Sequence, residues 1–242
     1  MSIPRYSRVL LKLSGEILAG EKGFGIDPDV TSFLAGQVKY LHDAGLELGI
    51  VIGAGNIFRG ISASANGIDR VTGDYLGMTA TILNSVALQS ALINLGCQAR
   101  VMSALSIEQL AEPYIRERAL DHLQKGRILI FAGGTGNPYF TTDTAAALRA
   151  AEVKAQVVLK GTRVDGVYDS DPEKNPQAHK FDFLTYQEVI ERELKVMDLT
   201  AVTLCMENNL PIVVTNVNDS SNLQKFVAGQ DVGTLISKEI TK

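Results

Sequence analysis

Three basic residues stand at the ends of apolar runs that glycine follows. Lys12 lies in "RVLLKL" just ahead of Ser14 and Gly15, Lys160 in "VVLKGT" just ahead of Gly161, and Arg59 directly after "VIGAGNIF" with its Gly53 and Gly55. A fourth glycine group, "GGTGNPYFTTD" over 133–143, carries Gly133, Gly134 and Gly136 with three threonines and Asp143. Glycine lets backbone N–H groups approach an anion closely. Taken singly, each group reads equally well as a tight turn, and each lysine as a solvated strand end. Taken together they describe a positive pocket for a phosphate-rich ligand, which is what a transferring phosphoryl group needs.

The elements that must carry these residues follow from the pattern. "SRVLLKLSGE" contains a buried strand over 9–13. Asp27-Pro28 reads as an N-cap with proline in the first turn, and Val30, Phe33, Leu34, Val38 and Leu41 continue at helical spacing to Gly45. Further strands are expected at 46–53, 99–104, 127–132, 155–162 and 210–216, with an edge strand at 233–237. Helices are expected near 113–124 and over 142–151. Thr185 and Glu188 form a capping box for a helix over 186–193, and Asp198 caps another. A long uncharged helix runs from about Asp74 to Leu95. Strands alternating with helices imply a three-layer α/β/α sandwich on a mainly parallel sheet, in one domain over 1–242. In such sheets ligands bind beyond the carboxyl ends of the strands, where the glycine groups fall.

Composition narrows the classes. The net charge is −4 and the sequence pI about 5.5, so there is no overall basic footprint for nucleic acid. Two distant cysteines argue for a reducing compartment and a cytoplasmic location. Three scattered histidines lack metal-ligand spacing. The N-terminus does not read as a signal peptide, since Lys12 interrupts its apolar stretch. From Tyr75 to Ala99 no residue is charged, a length that could cross a bilayer. Its threonines, asparagines, serines and glutamine favour instead a helix buried between the core and a second subunit. No P-loop, G-x-G-x-x-G, G-x-S-x-G or protein-kinase signature occurs.

Six stretches in order, "LLKLSGE" (10–16), "GFGID" (23–27), "VIGAGNIFRG" (51–60), "GTGNPYFTTD" (134–143), "LKGTRVDGVYDSDP" (159–172) and "LKVMDLTA" (194–201), resemble the bacterial uridylate kinases of the amino-acid-kinase superfamily. The resemblance runs from about residue 8 to 236. It implies transfer of a phosphoryl group from ATP to UMP in pyrimidine nucleotide synthesis, with magnesium arriving on ATP and no metal-ligating residue. It also implies a homohexamer that needs neither nucleic acid nor membrane.

Residue by residue, the resemblance implies a catalytic set of Lys12, Arg59, Asp143 and Lys160, with Asp143 orienting the two lysines. It puts Lys12, Leu13, Ser14, Gly15, Gly55, Arg59, Thr162, Tyr168 and Asp171 with ATP. It puts Ala54, Asp74, Thr135, Gly136, Asn137, Pro138, Tyr139, Phe140, Thr141 and Thr142 with UMP, Asp74 on the ribose. Gly20, Glu21, Lys22, Gly23, Phe24 and Gly25 match a segment linked with GTP activation, and UTP is the expected inhibitor. One departure is Ala54, where relatives commonly have the middle of three glycines; alanine disfavours positive φ. Two alternatives stand beside this reading: a superfamily kinase acting on a carbamate or carboxylate, and a non-catalytic nucleotide-binding storage protein of the same fold.

Overall fold

The computed structural model describes residues 5–58 and 67–239. Nine strands form one sheet. In chain order they are β1 (Arg8–Leu13), β2 (Glu47–Ile52), β3 (Ala99–Ser103), β4 (Glu112–Pro113), β5 (Ile128–Ala132), β6 (Val157–Thr162), β9 (Phe183–Thr185), β10 (Ile212–Asn216) and β11 (Thr234–Ser237). A separate two-stranded ribbon pairs β7 (Val167–Tyr168) with β8 (Lys180–Phe181). The order across the large sheet is β4-β3-β5-β2-β1-β6-β10-β11-β9. All neighbours are parallel except β10 and β11.

Among the described residues seven α-helices cover the two faces: α1 (Pro28–Asp43), α2 (Arg70–Asn94), α3 (Arg116–Gln124), α4 (Thr142–Glu152), α5 (Tyr186–Glu191), α6 (Leu199–Glu207) and α7 (Ser220–Val227). Side chains alternate along a strand, and β1 divides its residues accordingly. Val9, Leu11 and Leu13 join the core made with α1, α2 and α7, while Leu10 joins the core made with α3, α4, α5 and α6. The result is the expected three-layer sandwich. Lys12 shares the parity of Leu10, so it points to the α4 side.

Local signals explain most helix starts. Asp27 accepts from the N–H groups of Asp29 and Val30 to begin α1. The capping box at Thr185 and Glu188 closes in both directions, at 2.8 and 3.1 Å. Two expectations are corrected, and one helix is added. Helix α2 starts at Arg70 under an Asp69 cap, whose carboxylate accepts the Thr72 N–H at 3.1 Å. Asp74 lies one turn inside and pairs with Arg70. Strand β11 is not the edge, because β9 pairs outside it. Helix α7 went unread, since its eight residues bury only Leu223 and Phe226.

Helix α2 is long and apolar enough to cross a bilayer on length and composition alone. Its inner face nevertheless buries Thr81, Asn84 and Ser85, and all three hydrogen-bond within the protein. Its outer face leaves Tyr75, Leu76, Leu83 and Ile93 exposed.

Candidate active site

Lys12 and Lys160 are paired residues in the β1–β6 ladder. Neighbouring strands lie about 4.8 Å apart, so two ammonium groups of the same parity would repel. Asp143, in the first turn of α4, stands between them. Lys12 Nζ lies 2.7 Å from Asp143 Oδ1, and Lys160 Nζ lies 3.0 Å from Oδ2. All three side chains are at most 16% exposed. Lys160 also donates to the Val196 carbonyl in the segment before α6. An ammonium has three donors, so one N–H of Lys160 stays available for a ligand oxygen.

The electrostatics follow from burial and charge. Burial alone would raise the pKa of Asp143, but the positive charges of Lys12 and Lys160 outweigh it and hold the carboxyl below its usual 3.8. Burial, aided by Lys12 and opposed by Asp143, pulls Lys160 below its usual 10.5. A fixed pair of cations in a poorly solvated site suits the stabilisation of negative charge that develops on a transferred group.

Two cavities lie near this trio, one walled by Lys160 and the other by Thr142, the neighbour of Asp143. One, of about 620 Å³, is walled by Lys160, Thr162, Tyr168, Asp171 and the run Arg192–Val196. Tyr168 donates its hydroxyl to Asp165, and that bond pushes its pKa up to about 12. The other cavity, of about 290 Å³, has Ala54, Gly55, Phe58, Asp74, Met78, Phe140, Thr141 and Thr142 among its walls. Thr142, the first residue of α4 and the neighbour of Asp143, walls the smaller cavity, so α4 presents its N-terminus there. Such an N-terminus favours an anion.

The loops are held by specific contacts. Thr141 caps α4 by accepting from the N–H groups of Asp143 and Thr144. Thr141 and Thr144 both donate their hydroxyls to Asp198, which also caps α6 through the Ala201 N–H at 3.0 Å. Asp198 therefore joins the starts of two helices, a role beyond the single cap read from the sequence. Asp74 accepts the Tyr139 N–H at 2.7 Å as well as Arg70. Thr81 accepts the Gly133 N–H at 2.9 Å.

The expected residues are spread over these and neighbouring spaces. Gly55, assigned with ATP, walls the smaller cavity. Thr135 and Asn137 wall a third cavity of about 510 Å³ between α4 and α6, which Phe140 also touches. Leu13, Ser14 and Gly15 form the turn beneath the trio, where Ser14 accepts the Glu16 N–H. Gly136, Pro138 and Tyr139 belong to the loop; Tyr139 has φ 74° and is mostly exposed. Arg59 lies outside the described residues. Ala54 causes no strain, since the non-glycine residues with positive φ among those described are Tyr139, Lys154, Glu193 and Asn209. Sequence reasoning missed Met78 and Thr81 on the smaller cavity and Arg192–Val196 on the larger. A four-residue step from Asp74 along its helix would have found Met78.

Known proteins share this fold. The amino acid kinase family matches over residues 7–216. The fold superposes on UMP kinase from Bacillus anthracis with a TM-score of 0.94 at 40% identity, covering 97% of each chain. UMP kinase from Ureaplasma parvum gives 0.90 at 37% identity, over 97% of this chain and 100% of that one. Uridylate kinase from Archaeoglobus fulgidus gives 0.73 at 29% identity, over 95% and 99%. The chain belongs to the amino acid kinase family, in the company of its UMP kinases.

Proposed function

We propose that this protein transfers the γ-phosphoryl group of ATP directly to the phosphate of UMP, giving ADP and UDP. The observation that carries the reading is one carboxylate-bridged lysine pair, with Lys160 on the wall of one cavity and Thr142, the neighbour of Asp143, on the wall of another. The larger cavity takes ATP and the smaller takes UMP. A UMP phosphate oxygen forms the new P–O bond as the bond to the ADP leaving oxygen breaks. The acceptor phosphate is already ionised at neutral pH, so no general base is needed. Catalysis is then placement and charge neutralisation. Lys12 and Lys160 contact the transferring group, and Asp143 positions them. Arg59 follows the second glycine loop and supplies a further guanidinium to the phosphates. Magnesium arrives as part of the ATP complex, held by phosphate oxygens and waters. The carboxylate of Asp143 is occupied by the two lysines.

Direct transfer requires both nucleotides at once. Calorimetry with UMP and a non-hydrolysable ATP analogue tests this. Each should bind the complex of the other, and mutually exclusive binding would contradict the reading.

The wider setting is pyrimidine nucleotide synthesis in the cytoplasm, with the chain acting as one domain over 1–242 in a homohexamer. The exposed apolar face of α2 supports assembly, and two buried free cysteines agree with a reducing compartment. The segment 20–25 is the GTP-responsive element and UTP is an inhibitor. A rate and UMP cooperativity indifferent to GTP, or a rate indifferent to excess UTP, would contradict each in turn.

A further inference from the structure

Helix α2 carries Asn84 with no solvent exposure, and Asn56, just past the second glycine loop, is equally enclosed. Buried amides persist where their polar atoms find partners. Here all four amide N–H bonds do. Asn84 Nδ2 donates to the Gly53 carbonyl at 2.7 Å and to Asn56 Oδ1 at 2.8 Å. Asn56 Nδ2 donates to the Gly25 carbonyl at 2.7 Å and to Asn84 Oδ1 at 3.0 Å. The backbone carbonyl of Asn56 accepts the Gly25 N–H at 2.8 Å. Turning either amide over would set oxygen against oxygen, so the pair fits in one orientation.

The pair fixes the loop that walls the smaller cavity. The Gly53 carbonyl is held by Asn84 on one side and crowded by Gly15 on the other, where a side chain would come within 2.2 Å of it. Ala54 and Gly55, the next two residues, line the cavity. Helix α2 also brings Asp74 to that cavity and Thr81 to the Gly133 N–H. One rigid element thus sets the acceptor space from three sides. Through Asn56, the same loop is locked to both backbone groups of Gly25.

We propose that Asn84 and Asn56 are positioning residues for the acceptor phosphate. Asn84 holds the Gly53–Gly55 loop in register against the cavity. Asn56 ties that loop to Gly25, so that acceptor binding and the state of segment 20–25 change together. The proposal rests on reading the smaller cavity as the acceptor site.

Steady-state kinetics of Asn84→Ser tests it. The KM for UMP should rise about tenfold, the size of one lost hydrogen bond, while the KM for ATP stays within about twofold. A general loss of packing would move both. Both constants moving together, or an unchanged UMP constant in a folded variant, overturns the proposal. Asn56→Ser, which keeps the Asn84–Gly53 bond, should show the same selectivity with a smaller rise. Deuterium exchange on the unmodified chain decides the matter even where a variant fails to fold. Adding UMP should slow exchange in both 53–56 and 20–25, and protection confined to 53–56 overturns the coupling. UMP turnover by the unmodified chain separates the two levels. Absent turnover removes the functional reading and this proposal with it, whereas turnover with an unchanged UMP constant in Asn84→Ser removes the proposal alone.

Discussion

Lys12 and Lys160 face each other as register partners on parallel strands, and their ammonium groups end on opposite oxygens of one carboxylate, Asp143. The arrangement keeps two like charges close together in a poorly solvated place, where a phosphoryl group can use both. It also makes Asp143 answerable for stability as well as for geometry.

Asp143→Asn should therefore fail on two counts. Two buried ammonium groups lose their counter-charge, and breaking such a pair costs roughly 3–5 kcal/mol. The rate constant kcat should fall about 10²–10³-fold, the effect of losing a preorganised electrostatic contact. The acid behaviour has a definite sign. The folded pKa of Asp143 lies below its usual 3.8, so its contribution is complete above that value and is lost as pH falls through the folded value. Denaturant unfolding at neutral and acid pH checks this. A change within ~1 kcal/mol, the size for an exposed pair, would contradict it.

The alkaline limb of the activity profile should belong to Lys160. Its pKa is depressed chiefly by burial, and the charged form is the one that stabilises the transferred group. Activity should therefore decline as pH rises through a value below 10.5. In Asp143→Asn burial and Lys12, which lower the pKa, remain opposed by the smaller pull of Asp198, so the limb should move to lower pH. A limb that stays in place would assign it to another group.

Gly15→Ala tests the meeting of the first two loops. The added Cβ would stand 2.2 Å from the Gly53 oxygen and 2.5 Å from its carbonyl carbon. Both are backbone atoms, which do not rotate aside. The variant should lose about 1–3 kcal/mol of stability and most of its kcat/KM for UMP. Near-native kinetics would mean that the loops separate at no cost.

These elements differ in how far the sequence revealed them. The apolar runs ending in glycine marked β1, β2, β5 and β6, and the caps at Asp27 and Thr185 are local signals that act within four residues. What stayed hidden depends on partners far along the chain. Asp69, not Asp74, stands at the start of α2, and Asp74 instead meets Arg70 and the Tyr139 N–H. That β9 rather than β11 forms the edge depends on a pairing between segments far apart in the chain. Asn84 reads in sequence as a polar interruption of an apolar helix, and its meaning appears only when Gly53 and Asn56 come beside it. The lysine pair is likewise invisible until the β1–β6 register is known.

Asp74 sits on the smaller cavity, the proposed acceptor site, with a carboxylate able to accept further hydroxyl donors. A site built for a ribose hydroxyl rejects the deoxy analogue strongly. The ratio of kcat/KM for UMP over dUMP should exceed about 10², and Asp74→Asn should narrow it. Comparable values for the two nucleotides would show that Asp74 does not read the sugar.

The outer face of α2, with Tyr75, Leu76, Leu83 and Ile93 exposed, should be covered by another copy of the chain. Light scattering should give the mass of a hexamer, and Leu83→Glu should reduce it. A monomer mass for the unmodified chain would refute the assembly.

The central claim is transfer from ATP to UMP across the lysine pair. A coupled ADP-release assay with magnesium and ATP, run with UMP, CMP, dUMP and no acceptor, addresses it most directly. The account predicts rapid release with UMP, little with the others, and loss of the UMP rate in Lys12→Ala and Lys160→Ala. No release with any acceptor from folded protein would contradict it and leave a binding or storage role for the same fold.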